Sequence, residues 1–106
     1  MFINFNVQEV YDFLMKHGWV FTLREYPKFT QYCQAKHRGK VFADVKVTMI
    51  TAINEETKYL LNDYVEDSGL HTVDEWWNLA VKLHKGESNL YLFKVEFITG
   101  HDMPRV

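Results

Sequence analysis

The chain has 106 residues, of which 47% are hydrophobic, 25% charged and 16% aromatic. That length suits one domain, spanning 1–106, with a core that folds without staples. The single cysteine, Cys33, excludes an internal disulfide and fits a reducing, cytoplasmic setting, and no apolar run is long enough to cross a membrane.

The N-terminal residues carry no basic segment followed by an apolar one, so a secretory leader is not expected. Asn6-x-x-Glu9 has the pattern of a helix cap, and Val7, Val10, Tyr11 and Leu14 then fall on one helical face. The spacing predicts a helix over Val7–Lys16, stopped by a left-handed Gly18. Trp19–Arg24 is β-branched and aromatic and reads as a strand, with Pro27 ending it. Lys28–Lys40 has no clean period and reads as a long basic loop. Val41–Ile53 alternates, with Val41, Ala43, Val45, Val47, Met49, Thr51 and Ile53 on one side. At about 3.3 Å per residue it would run roughly 40 Å, so a bend or bulge is expected.

Asn54 is placed to cap a helix from Glu55 to Val65, broken by Ser68-Gly69. Thr72-Val73-Asp74-Glu75 is a capping box. The helix it opens carries Val73, Trp76, Trp77, Ala80 and Leu83 on one stripe and ends near His84. Leu90–Ile98 is the last strand, with Tyr91, Phe93, Val95 and Phe97 on one face. The predicted core includes Val45, Val47, Leu60, Trp76, Phe93 and Val95. The class is α+β, a small curled β-barrel with surrounding helices. Three strands cannot close a barrel, so Phe2–Phe5 or part of Lys28–Lys40 should add pairing.

Net charge is only −2, yet the signs are segregated. Between Lys16 and Lys46 stand seven Lys or Arg and two acids, a balance of +5; the remainder carries −7. A basic lobe on a small domain points to an anionic partner, nucleic acid being the commonest large anion. The candidate binding residues are Arg24, Lys28, Tyr32, Lys36, His37, Arg38 and Lys40. The cations neutralise phosphates, and the aromatics stack on unpaired bases. Arg24 shares a strand face with Thr22, as a phosphate fork beside a hydroxyl; the alternative is an ion pair with a carboxylate such as Glu96. Cys33 and His37 stand four apart, but no second cysteine completes a metal site, and neither metal nor cofactor is expected. Of Trp76 and Trp77, at least one is expected in the core rather than on a base platform.

Four segments resemble the PUA-like superfamily, nearest its ASCH branch. They are Gly18–Arg24, the strand through Val45-Lys46-Val47, Tyr64-Val65-x-x-Ser68-Gly69-Leu70-x-x-Val73-x-Glu75-Trp76, and Leu90-Tyr91-Leu92-x-Lys94-Val95-Glu96. The resemblance implies a PUA-like β-barrel with helices around it and a cleft for RNA or a modified base. Catalytically implicated ASCH members carry Gly-x-Lys-x-x-Glu-x-Arg where the first helix meets the first strand. Aligned on Arg24, this chain has Thr22 in place of the acid and Trp19 in place of the lysine. Aligned on Gly18, it has Val20 and Leu23 there. The expected function is therefore non-catalytic binding of RNA or another single strand. The alternatives are an ASCH-like hydrolase or ribonuclease with a reshaped site, and a protein-interaction module.

Overall fold

The computed structural model describes residues 1–26, 29 and 31–101. In chain order the elements are β1 (Phe2–Asn4), α1 (Gln8–His17), β2 (Trp19–Arg24), β3 (Tyr32–His37) and β4 (Lys40–Ile53). Two 3-10 turns (Lys58–Asp63 and Val65–Asp67), α2 (Val73–Leu83) and β5 (Leu90–Gly100) follow. The strands form one mixed sheet in the order β1-β3-β4-β5-β2, with β1 and β3 parallel and the other neighbours antiparallel. The sheet curls into a half-barrel whose two edges are β1 and β2. None of the described helices is long and apolar enough to cross a membrane.

The additional pairing comes from both expected places. Phe2–Asn4 forms β1, and the segment read as a long loop contains β3. Its period is hidden because the inward residues are the small Cys33 and Ala35, while Tyr32, Gln34 and Lys36 face out. β3 and β4 are joined through Arg38 and Gly39, at φ 50° and 83°, the paired left-handed geometry that suits a tight hairpin.

α1 ends as expected, on Gly18 at φ 85° with its N–H bonded to the Leu14 carbonyl. Its start differs. Val7 occupies the cap position without a side-chain bond, because the Asn6 Oδ1 accepts the Arg38 N–H at 2.9 Å instead. The expected helix over 55–65 is also replaced, by the two 3-10 turns. Asn54 does accept the Glu56 and Thr57 N–H groups, but Thr57 Oγ1 takes the Asn54 N–H and Asn62 donates to the Tyr59 carbonyl. Side chains that compete for backbone groups in this way disfavour a regular α-helix. α2 opens with Thr72 accepting the Glu75 N–H at 3.0 Å, while the Glu75 carboxylate reaches back to the His71 N–H at 2.9 Å.

Two bulges bend the β4–β5 ladder, at Asp44/Val45 and at Met49/Thr51. The second has a large effect, because one extra residue exchanges the inward and outward faces. Before it, Ala43, Val45 and Val47 pack with Val20, Phe93 and Val95 against Val10 and Leu14 of α1. Beyond it, Ile53 packs with Leu23, Leu90 and Leu92 against Trp76, Trp77 and Ala80 of α2. One sheet thus serves two apolar cores. Trp76 and Trp77 are both buried, at 4% and 1% exposed, and Trp77 donates its indole N–H to Glu55 at 2.9 Å. Leu61 is fully buried where Leu60 was expected; Leu60 is only partly covered. Leu70 touches both cores.

Candidate functional site

The chain enters α1 through Asn4, Phe5 and Asn6, directly across from the last residues of β2. Between them, bounded on the far side by α2, lies a cavity of about 300 Å³. Its apolar wall includes Phe5, Leu70, Trp76 and Leu83, and its polar groups come from Asn4, Asn6, Thr22, Arg24 and His84. The curl of the sheet creates this site, since β1 and β2 sit at opposite ends of the strand order.

Arg24 is the central group. Its Nε donates to the Thr22 hydroxyl at 3.1 Å, as expected for residues two apart on one strand face. Its guanidinium carbon lies 5.0 Å from the centre of the Phe5 ring, a cation–π distance. The ion pairs among the described residues are Lys58–Glu55, His84–Glu25 and His101–Asp44, so none of the described carboxylates pairs with Arg24. Glu96, the alternative partner, stands opposite Trp19 in the ladder, whereas Arg24 faces Tyr91. Burial draws the Arg24 pKa below the usual guanidinium range, to about 10. The group still carries its charge at neutral pH. A half-buried cation with no described carboxylate beside it is a strong receptor for an incoming oxyanion.

Phe5 is held from both sides. Its N–H donates to the Lys36 carbonyl at 2.7 Å, and its carbonyl accepts from His37 Nδ1 at 2.6 Å. The His37 ring stacks on Tyr11 with centroids 3.9 Å apart. His37 is therefore a support for the cavity wall. It has no role with Cys33, which points into the core; residues four apart on a strand are about 13 Å apart. Arg38 is tied to the cavity residue Asn6 through its backbone, and its guanidinium reaches Gln8 at 3.4 Å. Lys40 is exposed at the start of β4.

The seven expected residues are thus divided. Arg24 lies in the cavity, Arg38 and His37 lie beside its rim, and Lys40 follows the hairpin turn. Lys36 and Tyr32 project from the outward face of the sheet, with the Lys36 ammonium 3.8 Å from the Phe2 ring centre. Lys28 lies outside the described residues. Strand alternation separates them, a consequence of β3 that a loop reading does not contain.

His84 was not singled out by the sequence. It follows α2, lines the cavity, and places Nδ1 3.5 Å from a Glu25 oxygen and Nε2 3.4 Å from the Leu23 carbonyl. Its only sequence signal was its position at the end of a capped helix. Among the described residues no group of three or more His, Cys, Asp or Glu is arranged to hold a metal ion. Compared with known proteins, the chain matches no family model, no curated protein and no solved structure.

Proposed function

We propose that this domain binds nucleic acid, preferring a single strand, and that one phosphate group docks on Arg24. The observation that carries the reading is the half-buried Arg24 guanidinium, paired with no carboxylate among the described residues, on the wall of a cavity of about 300 Å³. That volume sits at the lower end of the range for small-ligand sites, about 300–1,000 Å³, and suits one nucleotide-sized unit. The apolar wall accepts a base, while Thr22, Asn4 and Asn6 offer hydrogen bonds to its edge or sugar. A PUA-like fold nearest the ASCH branch is part of the same proposal, supported by the curled five-strand sheet with a helix packed on each core.

The test is the binding of a labelled oligonucleotide measured over a range of salt. Each neutralised phosphate contributes about −0.7 to the slope of log affinity against log salt for a single strand. Arg24→Met should remove roughly that much slope and weaken binding by about tenfold or more, since a hydrogen bond to a charged group contributes about 1.5–3 kcal/mol. Equal affinity and slope for parent and variant would overturn the proposal.

His84 carries a second reading, a hydrolase acting on RNA or a modified nucleoside. An imidazole on the cavity wall, with Nδ1 near Glu25 and a cationic oxyanion site beside it, has the parts of an acid–base centre once a substrate displaces the Leu23 carbonyl from Nε2. Product formation by the parent that is lost in His84→Gln, with binding retained, would support it. Intact substrate after prolonged incubation would discard it.

A further inference from the structure

The outward face of the sheet carries a pattern that the cavity does not use. Across four strands the ladder aligns Trp19, Glu96, Lys46 and Tyr32 in one row. Each is flanked along its strand by a buried residue, namely Val20, Val95, Val45 and Cys33, so the four side chains share the outward side. The row spans three strand spacings, about 14 Å. Its ends are exposed aromatics, Trp19 at 41% and Tyr32 at 61%. Lys94, paired with Thr48, lies one outward row further along. On the other flank, two rows beyond Tyr32, Lys36 stands beside Asn4 in the parallel ladder, with its ammonium over the exposed Phe2 ring. Asn4 also lines the cavity, so the face and the cavity meet at β1.

The charges on this face favour an anion. Lys36, Lys46 and Lys94 take part in none of the ion pairs among the described residues. The acids beside them are Glu96 and Asp44, the latter bonded to His101 at 2.9 Å, so three ammonium groups face two carboxylates. Aromatics spaced among cations on an open sheet suit a strand with unpaired bases, because rings stack on bases and ammonium groups neutralise the phosphates between them.

We infer that this outward face is a second binding surface, a track for single-stranded nucleic acid that continues from the cavity. Phe2, Trp19 and Tyr32 serve as stacking platforms, and Lys36, Lys46 and Lys94 as phosphate contacts. The inference rests on the nucleic-acid reading above, and its test separates the two. Two probes are titrated by fluorescence anisotropy or calorimetry: uridine monophosphate, which reaches only the cavity, and an oligouridine of about 12 nucleotides, within the range of roughly 4–16 that single-strand domains occupy. The parent should bind the oligomer at least about 100-fold more tightly, as linked sites do. Trp19→Ala with Tyr32→Ala should cost the oligomer roughly tenfold or more and leave the mononucleotide unaffected. Lys46→Ala with Lys94→Ala should flatten the oligomer's salt slope by about 1.4. These are surface positions, and an unchanged melting curve confirms that each variant is folded.

If the face variants bind the oligomer as the parent does while the mononucleotide still requires Arg24, the track is overturned and the cavity reading stands. If neither probe binds the parent, both fall. If the parent ignores the oligomer and instead self-associates in sedimentation, with the association lost in the Trp19/Tyr32 variant, the face is an interface between copies and the inference is wrong.

Discussion

Arg24 illustrates how a residue can weaken the fold and serve the site together. A cation whose folded pKa is lowered by burial to about 10 binds fewer protons folded than unfolded as pH rises through that value, so this group makes stability rise with pH there. At neutral pH its burial is a net cost. Arg24→Met should therefore leave the melting temperature equal or higher while removing phosphate binding, a trade typical of functional sites; a clear fall in melting temperature would show that Arg24 is structural. Glu55 behaves in the opposite sense. Its carboxylate is held below its ordinary 4.5, first by the Trp77 N–H and then by Lys58. Its contribution is present above that ordinary value and is lost as pH falls through the lowered one. Glu55→Gln should flatten the acid limb of a melting-temperature profile. Gly69 adopts φ +85°, and a Cβ there would stand 2.7 Å from the Glu9 carbonyl oxygen and 2.9 Å from the Val10 Cα, both main-chain atoms of α1. Gly69→Ala should cost more than about 1 kcal/mol in denaturant unfolding, from conformation and crowding together.

Among the elements, those governed by local chemistry were the most legible. β2 matches its expected span, α1 falls one residue later at each end, and α2 opens at its capping box. Trp76 and the residues Val45, Val47, Phe93 and Val95 are buried as their periodicity requires. Trp76→Ala should cost about 3–5 kcal/mol, read from chemical denaturation; under about 1 kcal/mol would mean that the second core does not depend on it. What escaped local reading depended on distant partners. β3 is polar outside and small inside, and becomes a strand because β1 and β4 flank it. Asn6 has the chemistry of a cap, yet the hairpin turn takes its oxygen. The 3-10 turns arise from side-chain competition around Asn54 and from the reach of Glu55 to Trp77, which is 22 residues away.

For the molecule as a whole, the excess of positive charge on 16–46 was plain in sequence, but how it divides in space was not. The strand alternation that places Arg24 inward also turns Lys36 outward, so one basic stretch supplies two surfaces. The site itself was half legible: Arg24 and Thr22 were identifiable from their spacing, whereas Phe5 and His84 reach the cavity only through the curl of the sheet. Lys36→Ala with Arg38→Ala should flatten the single-strand salt slope by roughly 1 to 1.5 if both meet phosphates. The bulge at Met49/Thr51 has one more consequence. It divides the interior into two cores, and the cavity opens where they adjoin, walled by Phe5 and Val10 of one and Leu23 and Trp76 of the other. A seam between two cores lets each half open by itself, and a ligand seated in it would join them. Hydrogen exchange of the free protein should resolve two opening energies, one for amides around α1 and one for those around α2, and a saturating ligand should draw them toward a single value.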